Sequence, residues 1–381
     1  MPSDGFTTQL AGDYTEVDRA EWTALLGQQR HATPFLSWEF LASLEATGCT
    51  TPESGWQALP LIVRDASNRL VGAAPLYAKG HSYGEYVFDW AWAQAYERAG
   101  LNYFPKFLVA SPFSPIPGAR LLAANDAARQ AVVQALVQSA TQSGVSSAHV
   151  LFPSDDDLVV LRQQDWLIRE NVQFHWHNLG FETFEDYLGS LTQPKRKKVK
   201  AERRKVRDSG VTTQVVVGSE ITQQQWTFFY GCYSHTYREH RSSPYLNLEF
   251  FLSLAKAMPQ SIVLCLAYRD GRPIAASLSL RSDSVLYGRY WGAVERVDCL
   301  HFEVAYYTPI AWAIGQGIAR FEGGAQGEHK LARGFTPVKT YSAHWLAEPR
   351  FKDAVARYLE RETQGIEAYV NELETRSPIR S

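Results

Sequence analysis

Pro34-Phe35-Leu36-Ser37-Trp38-Glu39-Phe40-Leu41-Ala42-Ser43-Leu44 and Pro244-Tyr245-Leu246-Asn247-Leu248-Glu249-Phe250-Phe251-Leu252-Ser253-Leu254 carry one pattern twice. Proline, glutamate, phenylalanine, serine and both leucines match without a gap. Each copy precedes a strand-turn-strand pattern, residues 61–65 with 70–74 and residues 266–270 with 273–276. Chance can match one helix; a helix and a strand pair in the same order predict a duplicated domain. A solenoid needs several copies of a unit of roughly 20–50 residues, so a single long repeat argues for two domains. The division is placed after residue 178, giving domains over 1–178 and 179–381.

The bulk properties agree. A chain of 381 residues exceeds one small core. A net charge of -2 supplies no global field for nucleic acid or anionic membrane, so any such binding must come from a local patch. Cys49, Cys232, Cys265 and Cys299 lie far apart with no CxxC, and read as free thiols of a reducing compartment. The first thirteen residues lack the pattern of a signal peptide, and no apolar run approaches the ~20 residues of a membrane helix. A cytoplasmic protein without integral membrane contact is the expectation.

Periodicity predicts helices over 18–29, 37–46 and 126–142, then over 184–191, 224–237, 248–257 and 302–317. Strands are predicted over 56–63, 70–77, 149–152 and 174–178, then over 211–217, 262–268, 274–281, 285–291 and 319–322. Residues 83–92 read as an aromatic strand or loop, in which Asp89 and Trp90 stand out. Pro112, Pro115, Pro117 and Gly118 predict a rigid extended loop. A charged helix begins near Lys352.

Residues 195–207 hold nine basic residues in thirteen. The plain reading is a solvated helix face. Without an acidic i, i+4 partner to neutralise it, such a helix suits a polyanion: tRNA, a CoA or lipid diphosphate, or an anionic membrane surface. Lys195, Arg196, Lys197, Arg203 and Arg204 are the phosphate-binding candidates.

The segment Gly323 to Gly334 contains four glycines, which let the backbone turn tightly beside a ligand. Glu328, His329, Lys330 and Arg333 offer base, acid and phosphate partners within six residues, and Gln326 lies in the same loop; the competing reading is a surface turn of solvated charges. His301 and Glu303 form an H-x-E at a helix start, read either as substrate-binding residues of a cleft or as a first helical turn in which Glu303 favours the macrodipole; the P-C-x-x-C of zinc deaminases is missing, so no metal is expected. Strand alternation puts Arg289 and Trp291 on one face, opposite Tyr290. Arg289 there could clamp a carboxylate or phosphate, or pair with an internal carboxylate. His175 and His177 share a strand face and read as structural.

These segments resemble the FemAB-like family of predicted N-acyltransferases, often labelled peptidoglycan biosynthesis/recognition proteins. The resemblance rests on Ser114-Pro115 to Gly118-Ala119-Arg120, His175-Trp176-His177-Asn178, Lys195-Arg196-Lys197-Lys198 with Glu202-Arg203-Arg204, Gly288-Arg289-Tyr290-Trp291, His301-Phe302-Glu303 and Gly324-Ala325-Gln326-Gly327-Glu328-His329-Lys330. It covers about residues 15–360. It implies an α/β (α+β) fold of two tandem GNAT-like domains, each a mixed, mostly antiparallel sheet flanked by helices. It implies transfer of an acyl or aminoacyl group from acyl-CoA, an acyl carrier protein or aminoacyl-tRNA to a small-molecule, peptide-linked or lipid-linked amine, with no bound cofactor. Lys330 is then the first catalytic candidate, with Glu328 or His329 as base. One departure concerns the donor: no R/Q-x-x-G-x-G/A pyrophosphate loop precedes the helix at Phe302. The alternative is a GNAT-fold protein without chemistry that binds an envelope precursor or anionic lipid.

Overall fold

The computed structural model describes residues 5–324, 327–376 and 379. In chain order the first elements are β1 (Thr7–Leu10), α1 (Arg19–Gly27), α2 (Trp38–Ala46), β2 (Trp56–Ala58), β3 (Leu61–Arg64), β4 (Leu70–Ala74), β5 (Leu76–Lys79), α3 (Trp90–Arg98), β6 (Lys106–Val109), β7 (Leu122–Ala123), α4 (Asp126–Gln142), β8 (Ser147–Leu151), α5 (Asp155–Gln163) and β9 (Leu167–His177). Then follow α6 (Phe184–Ser190), α7 (Gln193–Asp208), β10 (Val211–Val217), α8 (Gln223–Glu239), α9 (Leu248–Ala257), β11 (Ile262–Arg269), β12 (Arg272–Arg281), β13 (Val285–Ala293), α10 (Leu300–Phe302), α11 (Thr308–Gly315), β14 (Arg320–Glu322), β15 (Thr336–Leu346) and α12 (Pro349–Thr375).

The repeated segments form equivalent helices for the same local reason. Ser37 caps α2 by accepting from the Phe40 amide, and Asn247 caps α9 by accepting from the Phe250 amide. Each side chain thus satisfies an amide that the first helical turn leaves open.

The chain divides into one unit of Met1–Asn171 with Lys339–Ala368 and a second of Val172–Val338 with Tyr369–Ser381. This differs from the break expected after residue 178. Residues 339–368 return to the first unit because Ser342 to Leu346 pair with β8, and because Leu346, Val355 and Leu359 pack among Trp92, Tyr96 and Tyr103.

In the first unit β1, β3, β4 and β7 make an antiparallel sheet, while β2, β5, β6, β8 and β15 pair in that order. The pair β6–β8 is parallel. The strands expected over 56–63 and 70–77 are each two strands, interrupted at Pro60 and Pro75. Proline cannot donate to a ladder, and the halves on either side enter different sheets. α4 covers the core of Leu61, Val63, Val109, Val132, Leu136 and Val150. The segment read as an aromatic strand or loop begins a helix at Trp90, which buries Trp92 and Tyr96 at i, i+4 spacing.

In the second unit the order is β10-β11-β12-β13-β14, with the end of β9 paired to β14. All pairs are antiparallel except β13–β14. Each unit therefore holds a parallel pair whose strands are linked through a helix, as the duplication requires. The helix expected over 302–317 is interrupted by a wider, π-type turn at Glu303–Tyr307. Pro309, just beyond, has no amide to give to a carbonyl four residues back, so regular α pairing cannot run through this point.

α8 lies directly on β13. A methyl group at Gly292 would sit 2.2 Å from the Cys232 carbonyl oxygen, and Thr236 Oγ1 donates to the Trp291 carbonyl at 3.0 Å. Backbone on both sides of this contact cannot give way. Gly292→Ala should therefore lower the thermal midpoint by roughly 2 °C or more, the shift expected for an overpacking cost of about 1–3 kcal/mol. Gly365→Ala, in α12 with nothing near its Cβ position, should instead be neutral or stabilising by up to about 1 kcal/mol. Differential scanning calorimetry of the two variants checks both signs.

Candidate active site

Ligand sites of α/β sheets gather at the carboxyl ends of parallel strands. In the second unit β14 ends at Glu322, and the glycine-rich segment follows. Glu328 to Arg333 forms a 3-10 turn that closes on Gly334 in the left-handed conformation. Lys330, Leu331 and Arg333 point inward. A side chain at Gly323 would press on Phe335 at 2.9 Å and on the Lys330 stem at 3.3 Å, so glycine there lets the lysine lie flat against the backbone.

Lys330 is only 2% exposed, and its Nζ donates to the Gly324 carbonyl at 3.0 Å. Burial lowers its pKa to about 8, because the ammonium form loses hydration. His329, beside it, is exposed, and its Nε2 lies 3.2 Å from the Tyr306 hydroxyl. His301 stacks on Trp291 at 4.8 Å and lies 5.9 Å from the His329 ring. Burial, with Lys330 and Arg333 nearby, brings His329 down to about 4; burial, with His329, Arg333 and Lys330, does the same to His301. At neutral pH both imidazoles are uncharged, each with one nitrogen able to accept a proton.

Arg333 holds this turn in place. Its Nη1 donates to the His329 carbonyl at 2.6 Å, its Nη2 donates to Glu202 Oε2 at 2.8 Å, and its guanidinium lies 3.4 Å over the Phe302 ring. Tyr307 also donates its hydroxyl to Glu202. Glu303, buried in the π-type turn, accepts from Arg203 through both oxygens at 3.0–3.2 Å and from Thr308 at 3.0 Å. Arg203 also lies 4.4 Å over Phe184.

The structure thus gathers His301, His329, Lys330, Trp291 and Arg333 around one turn. Glu328 is exposed, as His329 is, and lines one cavity with it; its carboxylate meets the Tyr369 hydroxyl at 2.9 Å and Arg376 at 3.1 Å. Gln326 lies outside the described residues. Arg289 does not share a face with Trp291 as alternation predicts. The register with β12 shifts at Leu278/Ser279, so Arg289 occupies a bulge and its guanidinium lies 5.1 Å from the Tyr290 ring. Tyr290 meets Tyr233 and Phe251, while Trp291 meets His301.

The basic segment is the helix α7, but it is not free of acidic partners. Lys198 reaches Glu202 at 4.0 Å in i, i+4 spacing, Lys200 meets Glu185 at 2.8 Å, and Arg203 is taken by Glu303. Lys197 and Arg204 remain exposed, and Arg196 partly so. Lys195 lines a cavity of about 480 Å³ together with His329, Leu331 and Ala332, which puts the start of α7 beside the turn.

Glu202, Tyr306 and Tyr307 were not among the expected site residues. For Glu202 a signal existed: Val199, Glu202 and Val206 are three and four residues apart, the spacing of one helix face, and all three are buried.

The FemAB-like family model, described as peptidoglycan biosynthesis/recognition, matches residues 13–381, and the chain belongs to that family. No curated protein matches. Among solved structures, FemX is 11% identical with a TM-score of 0.55, over 89% of this chain and 98% of that one. L-PGS from Bacillus licheniformis is 10% identical with a TM-score of 0.54, over 90% and 97%. The C-terminal domain of a putative lysylphosphatidylglycerol synthetase from Agrobacterium fabrum is 9% identical with a TM-score of 0.55, over 92% and 97%. At these identities the likeness is one of fold, mixed sheets flanked by helices.

The depressed pKa of His301 sets a pH dependence. In the unfolded chain this ring takes up a proton near 6.5; in the folded chain it does so near 4. Between those values the unfolded state binds more protons, so the stability this residue contributes is lost as the pH falls. Urea titrations at pH 7 and pH 5 should show His301→Phe losing about 1–2 kcal/mol less than the wild type over that interval.

Proposed function

We propose that this FemAB-like chain is an N-acyltransferase that moves an acyl or aminoacyl group from a carrier to an amine at the turn holding His329 and Lys330. The observation that carries the reading is Lys330: a buried ammonium with a pKa near 8, beside two uncharged imidazoles. Proton-handling groups work best when their pKa lies near the working pH.

The chemistry is as follows. The acceptor nitrogen attacks the carbonyl of the donor, and the carbonyl oxygen takes on negative charge. Lys330, protonated at neutral pH, donates to that oxygen or to the leaving group. The nitrogen's proton passes to His329 or Glu328, the two candidate bases that line this cavity. His301 and Tyr306 orient His329, and Arg333 with Glu202 fixes the backbone of the turn. Collapse of the tetrahedral species forms the amide and releases the carrier, which leaves with the proton that Lys330 supplies.

The carrier candidates are acyl-CoA, an acyl carrier protein and aminoacyl-tRNA. CoA needs amides at a helix start for its pyrophosphate. Here the amides of Leu300, Phe302 and Glu303 already donate to Val297 and Cys299 carbonyls, and the preceding loop carries Glu295 and Asp298. The exposed cations of α7 suit a longer phosphate chain, which favours aminoacyl-tRNA. The family's description supports an acceptor amine on a cell-envelope precursor. Among the described residues no helix is long and apolar enough to cross a membrane.

The test is a transfer assay with labelled aminoacyl-tRNA, acyl-CoA and acyl carrier protein donors against amine acceptors. Lys330→Ala should cost roughly 10²–10³-fold in rate, the usual effect of deleting one oxyanion donor, with the fold retained by circular dichroism. The wild-type rate should fall as the pH rises through about 8, where Lys330 loses its proton. Full activity of the variant overturns the assignment.

A further inference from the structure

The loop that joins β5 to α3 in the first unit has the reverse polarity of an ordinary surface loop. Its charged residues are inside. Lys106, fully buried in β6, donates to Ser82 at 2.9 Å, to Glu85 at 2.8 Å and to Asp89 at 2.5 Å. Glu85 and Asp89 are each 4% exposed, and the Tyr103 hydroxyl adds a bond to Asp89 at 2.7 Å. The loop's aromatic residues are outside: Tyr83 and Phe88 are 56% exposed and Trp90 is 41% exposed. Tyr83 and Trp90 meet at 5.0 Å between ring centroids. A protein that buries Lys79, Lys106, Glu85 and Asp89 beneath a loop while turning three rings to water holds those rings in fixed positions for a partner, since large exposed apolar surface mostly marks interaction sites.

The surface around Phe88 indicates the partner. Its carbonyl accepts from Arg169 at 2.7 Å, and Arg169 pairs with Glu362, which accepts from Tyr358 at 3.1 Å. Tyr358, on α12, is another exposed ring, at 39%. Exposed Arg357 adjoins it, and exposed Arg361 follows at i+3 on the same helix face, with the exposed acid Glu360 between them in sequence. Tyr and Trp flanking an apolar Phe, with arginines alongside, is the composition of groups that sit at a lipid–water boundary: the ring enters, the amphipathic rings stay at headgroup level, and the cations meet anionic headgroups. The Tyr83 and Trp90 rings are tilted by 60° to each other. They form a wedge rather than the flat platform on which a sugar ring stacks.

We propose that Tyr83, Phe88 and Trp90, with Tyr358, Arg357 and Arg361, form a docking surface for an anionic lipid bilayer. It uses none of the transfer-site residues and does not rest on that reading.

Co-sedimentation with vesicles tests this. The intact protein should bind vesicles of equimolar phosphatidylcholine and phosphatidylglycerol, and bind vesicles of phosphatidylcholine alone more weakly. Tyr83→Ser/Phe88→Ser/Trp90→Ser should weaken the former by about tenfold or more, since partition follows the apolar area inserted. Because the rings are exposed, this variant should keep the wild-type thermal midpoint. A second variant, Lys197→Glu/Arg204→Glu on α7, should bind the mixed vesicles at least half as well as the wild type. No binding by the wild type, wild-type binding by the triple variant, or loss confined to the α7 variant would each overturn the proposal. So would a wild-type dimer in solution that the triple variant dissolves without any vesicle binding, which would make the face a self-contact.

Discussion

The buried contact between Glu202 and Arg333 is the constraint on which the candidate site depends. Arg333 is 1% exposed at its side chain and Glu202 10%. Pairs of this kind add little over well-packed apolar groups, yet removing one partner costs about 3–5 kcal/mol, because the other is left charged and dry. Here the pair has a geometric consequence. Arg333 also holds the His329 carbonyl, and Glu202 also holds Tyr307, which sits next to Tyr306. One acid on α7 therefore sets the position of the turn carrying His329 and Lys330 relative to the π-type turn.

The same charges set the protonation of the site. Partial burial and two nearby cations keep the imidazoles neutral, while full burial brings Lys330 near its titration point. Charge on α7 is divided by function. Glu202 faces inward and Arg203 bridges to Glu303, whereas Lys197 and Arg204 face solvent. A helix that reads as a uniform basic stripe is thus a structural beam on one side and a cationic surface on the other.

Much of the fold was legible because it rests on local rules. The two copies of the Pro-to-Leu segment carry their own caps, Ser37 and Asn247, and the expected helix over 126–142 and strand over 211–217 lie where periodicity puts them. Other features depend on partners distant in sequence. The bulge at Arg289 is set by register against β12, and the inward turn of Glu202 by Arg333, 131 residues away. Pro309 and the Val199-Glu202-Val206 spacing were readable signals for the π-type turn and the buried acid. They were masked by an amphipathic stripe in one case and a charge run in the other. The division of the chain was not local at all, since residues 339–368 belong with a unit formed mainly by the first 171 residues.

The most direct measurement is the titration of Lys330 itself, which needs no substrate. Competitive acylation with isotopically distinguished reagents, read by mass spectrometry across pH 6 to 11, reports the pH at which each lysine becomes nucleophilic. Half-reaction of Lys330 is expected near pH 8. A value near 10.5, the ordinary lysine value, would contradict a buried, proton-active Lys330 and with it the assignment of this turn as the transfer site.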